Sequence, residues 1–231
     1  MLLVSLISIT ASSVGAAAGV ILVYGDSLSA GYGIRVEQSW PALLADRLKA
    51  KTPVGADKTT SAKTTALQGG RAKDALFAVA DGNAPSWTVA NASISGETTA
   101  GGRSRFAAAL KQFKPNVVIL ALGANDGLRG LPVKQMQENL STMVKLAKAQ
   151  RARVLLIGMR LPPNYGPDYT KAFEAAFATI AKQEKVALLP FLLEPVAGQR
   201  ENFQADGLHP IATVQMRLLD HIYPALQALL R

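Results

Sequence analysis

The 231-residue sequence predicts an α/β fold, a three-layer α/β/α sandwich built on a parallel five-stranded sheet. Short apolar runs alternate along the chain with longer segments of helical periodicity, the order in which helices connect neighbouring parallel strands. The short runs are apolar at nearly every position, which is typical of strands covered on both faces. Hydrophobic residues make up 49% and charged residues 18% of the chain, so it can bury the core of one globular domain.

The first strand is predicted over residues 20–24, a β-branched apolar run that ends at a glycine. A helix follows over residues 40–50, because tryptophan and three leucines recur there at helical spacing. Residues 51–85 are instead rich in lysine, threonine, alanine and glycine. They predict a surface insertion, with a short helix over residues 73–80.

Beyond residue 85 strands and helices alternate regularly. Four further short apolar runs predict strands at residues 88–91, 116–122, 153–158 and 186–189. Segments with apolar residues every three to four positions predict helices at residues 103–113, 133–150, 168–183 and 210–230. In such a sheet, ligands bind beyond the carboxyl ends of the strands.

The N-terminal 19 residues predict a secretory signal segment, which leaves residues 20–231 as a single domain. A short apolar run over residues 2–9 is followed by small residues that end in the sequence AAAG, although the usual basic region is absent. The run is too short for a membrane-spanning helix. We therefore expect a periplasmic or secreted protein.

Composition limits the chemistry and the partners. The chain has no cysteine and two histidines, His209 and His221, so neither a thiol nucleophile nor a metal centre is expected. No cofactor motif is present, and no cofactor is predicted. The net charge of +9 favours loose contact with an anionic membrane surface. Nucleic acid is not expected as a partner, since the basic residues are scattered, and we expect a monomer.

Polar clusters follow three of the predicted strands, and a fourth precedes the last helix. They contain Ser27, Gly96, Asn125 and the pair Asp206 and His209. A serine hydroxyl becomes nucleophilic when a base takes its proton, and a carboxylate can orient an imidazole as that base. The sequence therefore predicts Ser27 as nucleophile, His209 as base and Asp206 as its partner. Donors for an oxyanion are predicted from the N–H groups of Ser27 and Gly96 and the side-chain amide of Asn125.

These clusters resemble the sequence blocks of the SGNH, or GDSL, hydrolases. The blocks are GDSLSAGYG, GANDGLRG and DGLHP, and the stretches NASISGET, MRLPPNYG and ALLPFLLE resemble the bacterial thioesterase I, lysophospholipase and arylesterase branch. The resemblance covers about residues 20–230 and implies a flavodoxin-like sandwich, a Ser-His-Asp triad, no metal and broad acyl-hydrolase activity. Two features depart from the branch: Ala124, where a second glycine is common, and the insertion at residues 51–85.

The substrate is predicted to be a small-molecule acyl ester or thioester, with Leu161, Pro162 and Tyr165 beside the acyl chain. Three alternatives stay open at this point. They are a carbohydrate O-deacetylase of the same family, a non-catalytic acyl- or lipid-binding protein on this fold, and a flavodoxin-like module that binds a phosphate-bearing cofactor. Asp26 and Asp126 are expected to stabilise their loops.

Overall fold

Five of the six strands in the described ranges coincide with the apolar runs predicted as strands. The computed structural model describes residues 19–50, 75–77 and 87–231. Its strands are β1 (Gly19–Gly25), β2 (Ala75–Phe77), β3 (Trp87–Asn91), β4 (Val117–Ala121), β5 (Arg153–Ile157) and β6 (Ala187–Leu189). Its helices are α1 (Ser27–Ala30), α2 (Trp40–Ala50), α3 (Thr99–Phe113), α4 (Ala124–Leu128), α5 (Val133–Ala149), α6 (Pro167–Glu184) and α7 (Gln215–Gln227).

The sheet has the strand order β2-β3-β1-β4-β5-β6, in which β2 is antiparallel to β3 and the other pairs are parallel. From β1 the chain crosses to β3 on one side and then to β4 on the other. Ile21 of β1 consequently lies between Val89 and Val117. This reversal of direction is the switch point at which flavodoxin-like sheets bind ligands. The predicted sandwich with five parallel strands is confirmed.

Helices cover both faces of the sheet, and the alternation of side chains along β1 shows the two layers. Leu22 and Tyr24 pack into the core formed with α3, α5 and α6. Ile21 and Val23 point to the opposite face and pack with α2 and α7. All four side chains are fully buried, as expected for a central parallel strand.

One predicted element and the starts of two predicted helices differ from the structure. A helix was predicted over residues 73–80, but Ala75–Phe77 forms strand β2. This strand pairs with the free edge of β3. Edge pairing supplies backbone hydrogen bonds that a local helical pattern does not reveal. Helix α3 begins four residues early, capped by the Thr98 side chain on the N–H of Gly101. Helix α7 begins at Gln215 because residues 212–214 form a 3-10 turn.

The predicted signal segment lies outside the described residues except for Gly19, which is already part of β1 and pairs with Trp87. The predicted insertion also lies outside them except for β2. Within the described ranges, no helix is both long and apolar enough to cross a membrane.

Candidate active site

Ser27 is placed by a tight turn at the carboxyl end of β1. It is the first residue of α1, and the Asp26 carboxylate caps this helix by accepting the N–H of Leu28 at 3.1 Å. Asp26 is 2% exposed. Burial raises the pKa of its carboxyl to about 7, because the charged form is desolvated, although the Leu28 hydrogen bond acts in the opposite direction. The side chain of Asp26 therefore supports the turn, as the sequence predicts, and points away from solvent.

Ser27, His209 and Asp206 form one hydrogen-bonded chain. The Nε2 atom of His209 lies 2.8 Å from Ser27 Oγ, and its Nδ1 lies 2.7 Å from Asp206 Oδ2. Asp206 Oδ1 also accepts the N–H groups of Leu208 and His209 at 2.9 and 3.1 Å. The Leu208 hydrogen bond first, and then those from His209, lower the pKa of Asp206 to about 2.

The tautomer of a neutral His209 ring follows from this geometry. Asp206 is ionised at neutral pH, so the Nδ1 atom of a neutral His209 carries the proton that faces the carboxylate. Nε2 is then an acceptor directed at the Ser27 hydroxyl. The arrangement can transfer the hydroxyl proton to the imidazole, and the carboxylate would stabilise the resulting imidazolium.

The loop that carries Gly96 is cross-linked to helix α4, which carries Asn125, and to Arg129 directly after it. The Asn125 side-chain NH₂ donates to the Glu97 carbonyl at 3.1 Å, which leaves its second hydrogen for the cavity. Arg129 donates to the Gly96 carbonyl at 3.0 Å. Among the residues that the structure describes, the backbone N–H groups of Ser27 and Gly96 have no acceptor. Three donors thus remain available at the mouth of the cavity.

A second, buried contact ties α4 to the start of α3, which follows the loop that carries Gly96. Asp126 is 3% exposed and accepts the backbone N–H of Thr99 at 2.8 Å and its hydroxyl at 2.5 Å. Asn139 of α5 then donates to the Thr99 hydroxyl at 3.1 Å. Asp126 is therefore fully used in tying α3 to α4, in agreement with its expected loop-stabilising role. Ala124, the departure from the related branch, is buried at the start of α4.

A cavity of about 630 Å³ opens beside Ser27, and most of its lining is apolar. Leu161 and Pro162 line it, as the sequence predicts. Tyr165 was predicted in this role as well, but it is not among the lining residues. Its hydroxyl donates to the carbonyl of Leu128 at 3.0 Å, so this tyrosine fastens the loop instead.

Sequence reasoning missed the rest of the cavity wall, which comes mainly from the segments after β1, β5 and β6. The missed lining residues include Tyr32, Met159, Arg160, Phe191, Leu193, Phe203 and Leu208. Six of these seven lie in stretches that carry the resemblance, GDSLSAGYG, MRLPPNYG, ALLPFLLE and DGLHP, which therefore already contained a signal for them. Their shared contribution to one cavity depends on the packing of separate loops.

The second histidine lies outside the hydrogen-bonded chain. His221 Nε2 is 3.0 Å from the carbonyl oxygen of Phe191 and holds the backbone of this cavity residue. In the described ranges no group of three or more histidine, aspartate or glutamate side chains is arranged to bind a metal ion. His221 thus holds a residue that lines the cavity and takes no part in the hydrogen bonds among Ser27, His209 and Asp206.

The fold and the site together fit an ester hydrolase: a parallel α/β sandwich with a hydrogen-bonded serine, histidine and aspartate beside an apolar cavity. Comparison with known proteins agrees. The profile of the GDSL-like lipase/acylhydrolase family matches residues 63–215. The chain belongs to this family, which confirms the resemblance recognised in the sequence.

The relatives cover nearly the whole chain. Esterase TesA of Pseudomonas aeruginosa is 43% identical over 93% of this chain and 91% of its own length. Thioesterase 1/protease 1/lysophospholipase L1 of Escherichia coli K12 is 37% identical over 93% of this chain and 86% of its own length. A crystal structure of TesA superimposes with a TM-score of 0.74 at 42% identity, covering 91% of this chain and 99% of that structure.

Proposed function

We propose that residues 20–231 form one catalytic domain that hydrolyses esters and thioesters of apolar acyl groups. Ser27 is the nucleophile, His209 the general base and Asp206 the carboxylate that orients it. The observation that carries the proposal is the pair of short contacts at His209, 2.8 Å to Ser27 Oγ and 2.7 Å to Asp206 Oδ2. Both contacts are within the range required for proton transfer by a positioned base.

In the proposed reaction the Ser27 oxygen attacks the acyl carbonyl carbon while His209 Nε2 takes the hydroxyl proton. The carbonyl oxygen becomes an oxyanion, which accepts hydrogen bonds from the N–H groups of Ser27 and Gly96 and from Asn125. His209 then protonates the leaving alkoxide or thiolate, and an acyl-serine remains. Water, deprotonated by His209, attacks this acyl-serine, releases the carboxylic acid and restores the Ser27 hydroxyl.

The cavity wall supports an apolar acyl group as substrate. Apart from the residues of the proposed reaction centre, it is formed largely by aliphatic, aromatic and proline side chains. Arg160, the charged residue of the wall, is paired with Glu174 and Glu194 at 2.8 and 2.9 Å. Its charge is therefore compensated within the protein. The apolar wall of this cavity of about 630 Å³ offers few partners to sugar hydroxyls, which favours hydrolysis of longer acyl esters over O-deacetylation of a carbohydrate.

The test is reaction with a fluorophosphonate serine probe, followed by assays on p-nitrophenyl esters of increasing chain length, palmitoyl-CoA and a lysophospholipid. We expect labelling at Ser27 and a loss of turnover on the order of 10⁴-fold or more in Ser27→Ala. The matched control is Ser29→Ala in the same helix. Ser29 is fully buried and its hydroxyl has no partner among the described residues, so this variant should keep the activity of the parent.

Full turnover in a folded Ser27→Ala protein would eliminate the serine mechanism. Absence of probe labelling and of hydrolysis across the whole panel would favour a non-catalytic acyl-binding protein. Hydrolysis of the p-nitrophenyl acetyl ester alone within the panel would favour the deacetylase alternative. A preference for longer acyl esters over acetyl esters is the outcome expected from the cavity.

We also propose that the protein is exported to the periplasm or secreted, on the composition of residues 1–19. Sequencing of the mature N-terminus tests this, and a chain that retains Met1 in the periplasmic fraction would contradict cleavage. Loose contact with anionic membranes and a monomeric state stay predictions. Sedimentation with phosphatidylglycerol vesicles and size-exclusion chromatography address them.

A further inference from the structure

The contact between Ser27 and His209 joins two loops that are 182 residues apart in sequence. We define the nucleophile loop as residues 25–33 and the base loop as residues 202–211. Asp206 and His209 both belong to the base loop, so their mutual contact is local. The contact between His209 and Ser27 instead depends on how the two loops are held relative to each other.

The base loop is internally fixed around Gln204. The backbone N–H of Gln204 donates to the carbonyl of His209 at 2.8 Å, and Phe203 pairs with Pro210 in a β-bridge. Arg200 closes the other side, where its guanidinium donates to the carbonyls of residues 203, 204 and 205 at 2.7–3.1 Å. The main chain at Gln204 therefore cannot shift without moving His209.

The Gln204 side chain reaches from this fixed point to the nucleophile loop. Its NH₂ group donates to the carbonyl of Tyr32 at 2.8 Å and approaches the carbonyl of Pro210 at 3.3 Å. The N–H of Tyr32 in turn donates to the carbonyl of Ser27 at 3.2 Å. A continuous set of hydrogen bonds thus links the backbone of the base to the backbone of the nucleophile. The Tyr32 ring also packs on the His209 ring, with the centroids 4.5 Å apart.

Gly33 makes room for this side chain. Its φ is +72°, and a Cβ at this position would overlap the Oε1 atom of Gln204. Both hydrogen-bond partners of the Gln204 side chain are carbonyl oxygens, so the site requires a donor and a carboxylate of the same shape would be repelled. A glycine and a carboxamide therefore fit each other at the junction of the two loops.

We propose that Gln204, seated against Gly33, is a positioning residue that sets the distance between His209 Nε2 and Ser27 Oγ. The inference rests on the proposed serine mechanism. Removing the carboxamide should leave the Asp206–His209 contact in place, because both residues stay in one loop. The Ser27–His209 contact should lengthen, and a misplacement of about 1 Å between reacting groups can cost on the order of 10²-fold in rate.

The first experiment compares Gln204→Ala and Gln204→Glu with the parent on a soluble short-chain ester. We expect kcat to fall by about 10- to 100-fold with little change in KM, because Gln204 itself is not among the residues that line the cavity. The matched control is Gln135→Ala, an exposed glutamine of α5, which should behave like the parent. The downfield proton resonance of the hydrogen bond between Asp206 and His209 should persist in both Gln204 variants and vanish in Asp206→Ala.

The second experiment tests the fit between Gln204 and Gly33. Gly33→Ala should lower kcat through both the overlap with Gln204 and the unfavourable φ. The control is Gly166→Ala, since Gly166 has φ +84° but no atom within 4 Å of an added Cβ. Gly33→Ala should cost less in the Gln204→Ala background than in the parent, because the overlap is gone.

Three results separate the possibilities. If Gln204→Ala and Gln204→Glu keep kcat within about twofold of the parent, the positioning role is wrong. Loss of the downfield resonance together with kcat would show that Gln204 merely folds the base loop, which also overturns the inference. If Ser27→Ala itself retains activity, the proposed serine mechanism is wrong, and the positioning role that rests on it is wrong as well. An inactive Ser27→Ala beside fully active Gln204 variants refutes the positioning role alone.

Discussion

Removal of the Asn125 amide is the most direct test of how the site would stabilise negative charge. The amide donates one hydrogen to the Glu97 carbonyl at 3.1 Å, which fixes the side chain and directs the other hydrogen to the cavity. Its second hydrogen bond would strengthen only as charge develops on the substrate oxygen. Asn125→Ala should therefore lower kcat with little effect on KM.

The magnitude follows from the two hydrogen bonds. Loss of one preorganised oxyanion donor of three costs about 10²–10³-fold in kcat, or about 2.7–4 kcal/mol in the barrier. Loss of the contact with Glu97 costs about 1 kcal/mol in the free energy of unfolding. The kinetic effect should thus exceed the effect on stability by a clear margin.

The assay is kcat and KM on one soluble ester, with thermal unfolding measured on the same samples. Asn139→Ala is the matched control, since this buried amide donates to Thr99 behind the site and does not line the cavity. It should lose stability while kcat changes by no more than about threefold. An Asn125→Ala enzyme with unchanged kcat, or with a raised KM alone, would refute the oxyanion role.

Two other predictions concern pH. Asp206→Ala should lower kcat and move its acid limb to lower pH, because the imidazolium loses the carboxylate 2.7 Å away. Asp220→Ala, an exposed carboxylate of α7, is the control, and an unmoved limb in Asp206→Ala would contradict the assignment. Burial raises the pKa of Asp26 to about 7 from 3.8, so the folded state holds this proton more tightly than the unfolded state. The free energy of unfolding of the parent should therefore fall as pH rises from about 4 through 7. It should fall less in Asp26→Asn, whose amide oxygen can still cap the helix. Urea titrations that show the same pH dependence for both proteins would refute this.

Much of the fold could be predicted from local pattern. Helix α2 begins and ends where the leucine spacing predicts, and β4 lies within the predicted run at residues 116–122. Helical and strand periodicity report which side chains are buried, and burial on both faces identifies a central parallel strand. Strand β2 could not be predicted in this way, because it exists through pairing with the free edge of β3.

The candidate site likewise contains residues that the sequence predicted correctly and residues that it did not. Leu161 and Pro162 were predicted as lining residues and line the cavity, whereas Tyr165 from the same stretch turns its hydroxyl to Leu128. Sequence proximity places a residue near the site, but the direction of its side chain depends on the neighbouring turn. Phe191 and Phe203, which also line the cavity, were missed because their meeting with the other lining residues depends on how separate loops pack.

The sequence by itself determined the chemistry available to this protein. It supplied a serine, an aspartate three residues before a histidine, and an amide, each placed after a strand or before the last helix. Only the tertiary structure decided the 2.8 Å between Ser27 and His209, the free N–H groups beside them and the volume of the cavity. The physical reason is that periodicity and turn residues encode local conformation. Distances between loops 182 residues apart are set by how α2 and α7 pack on the sheet and by side chains that span the loops.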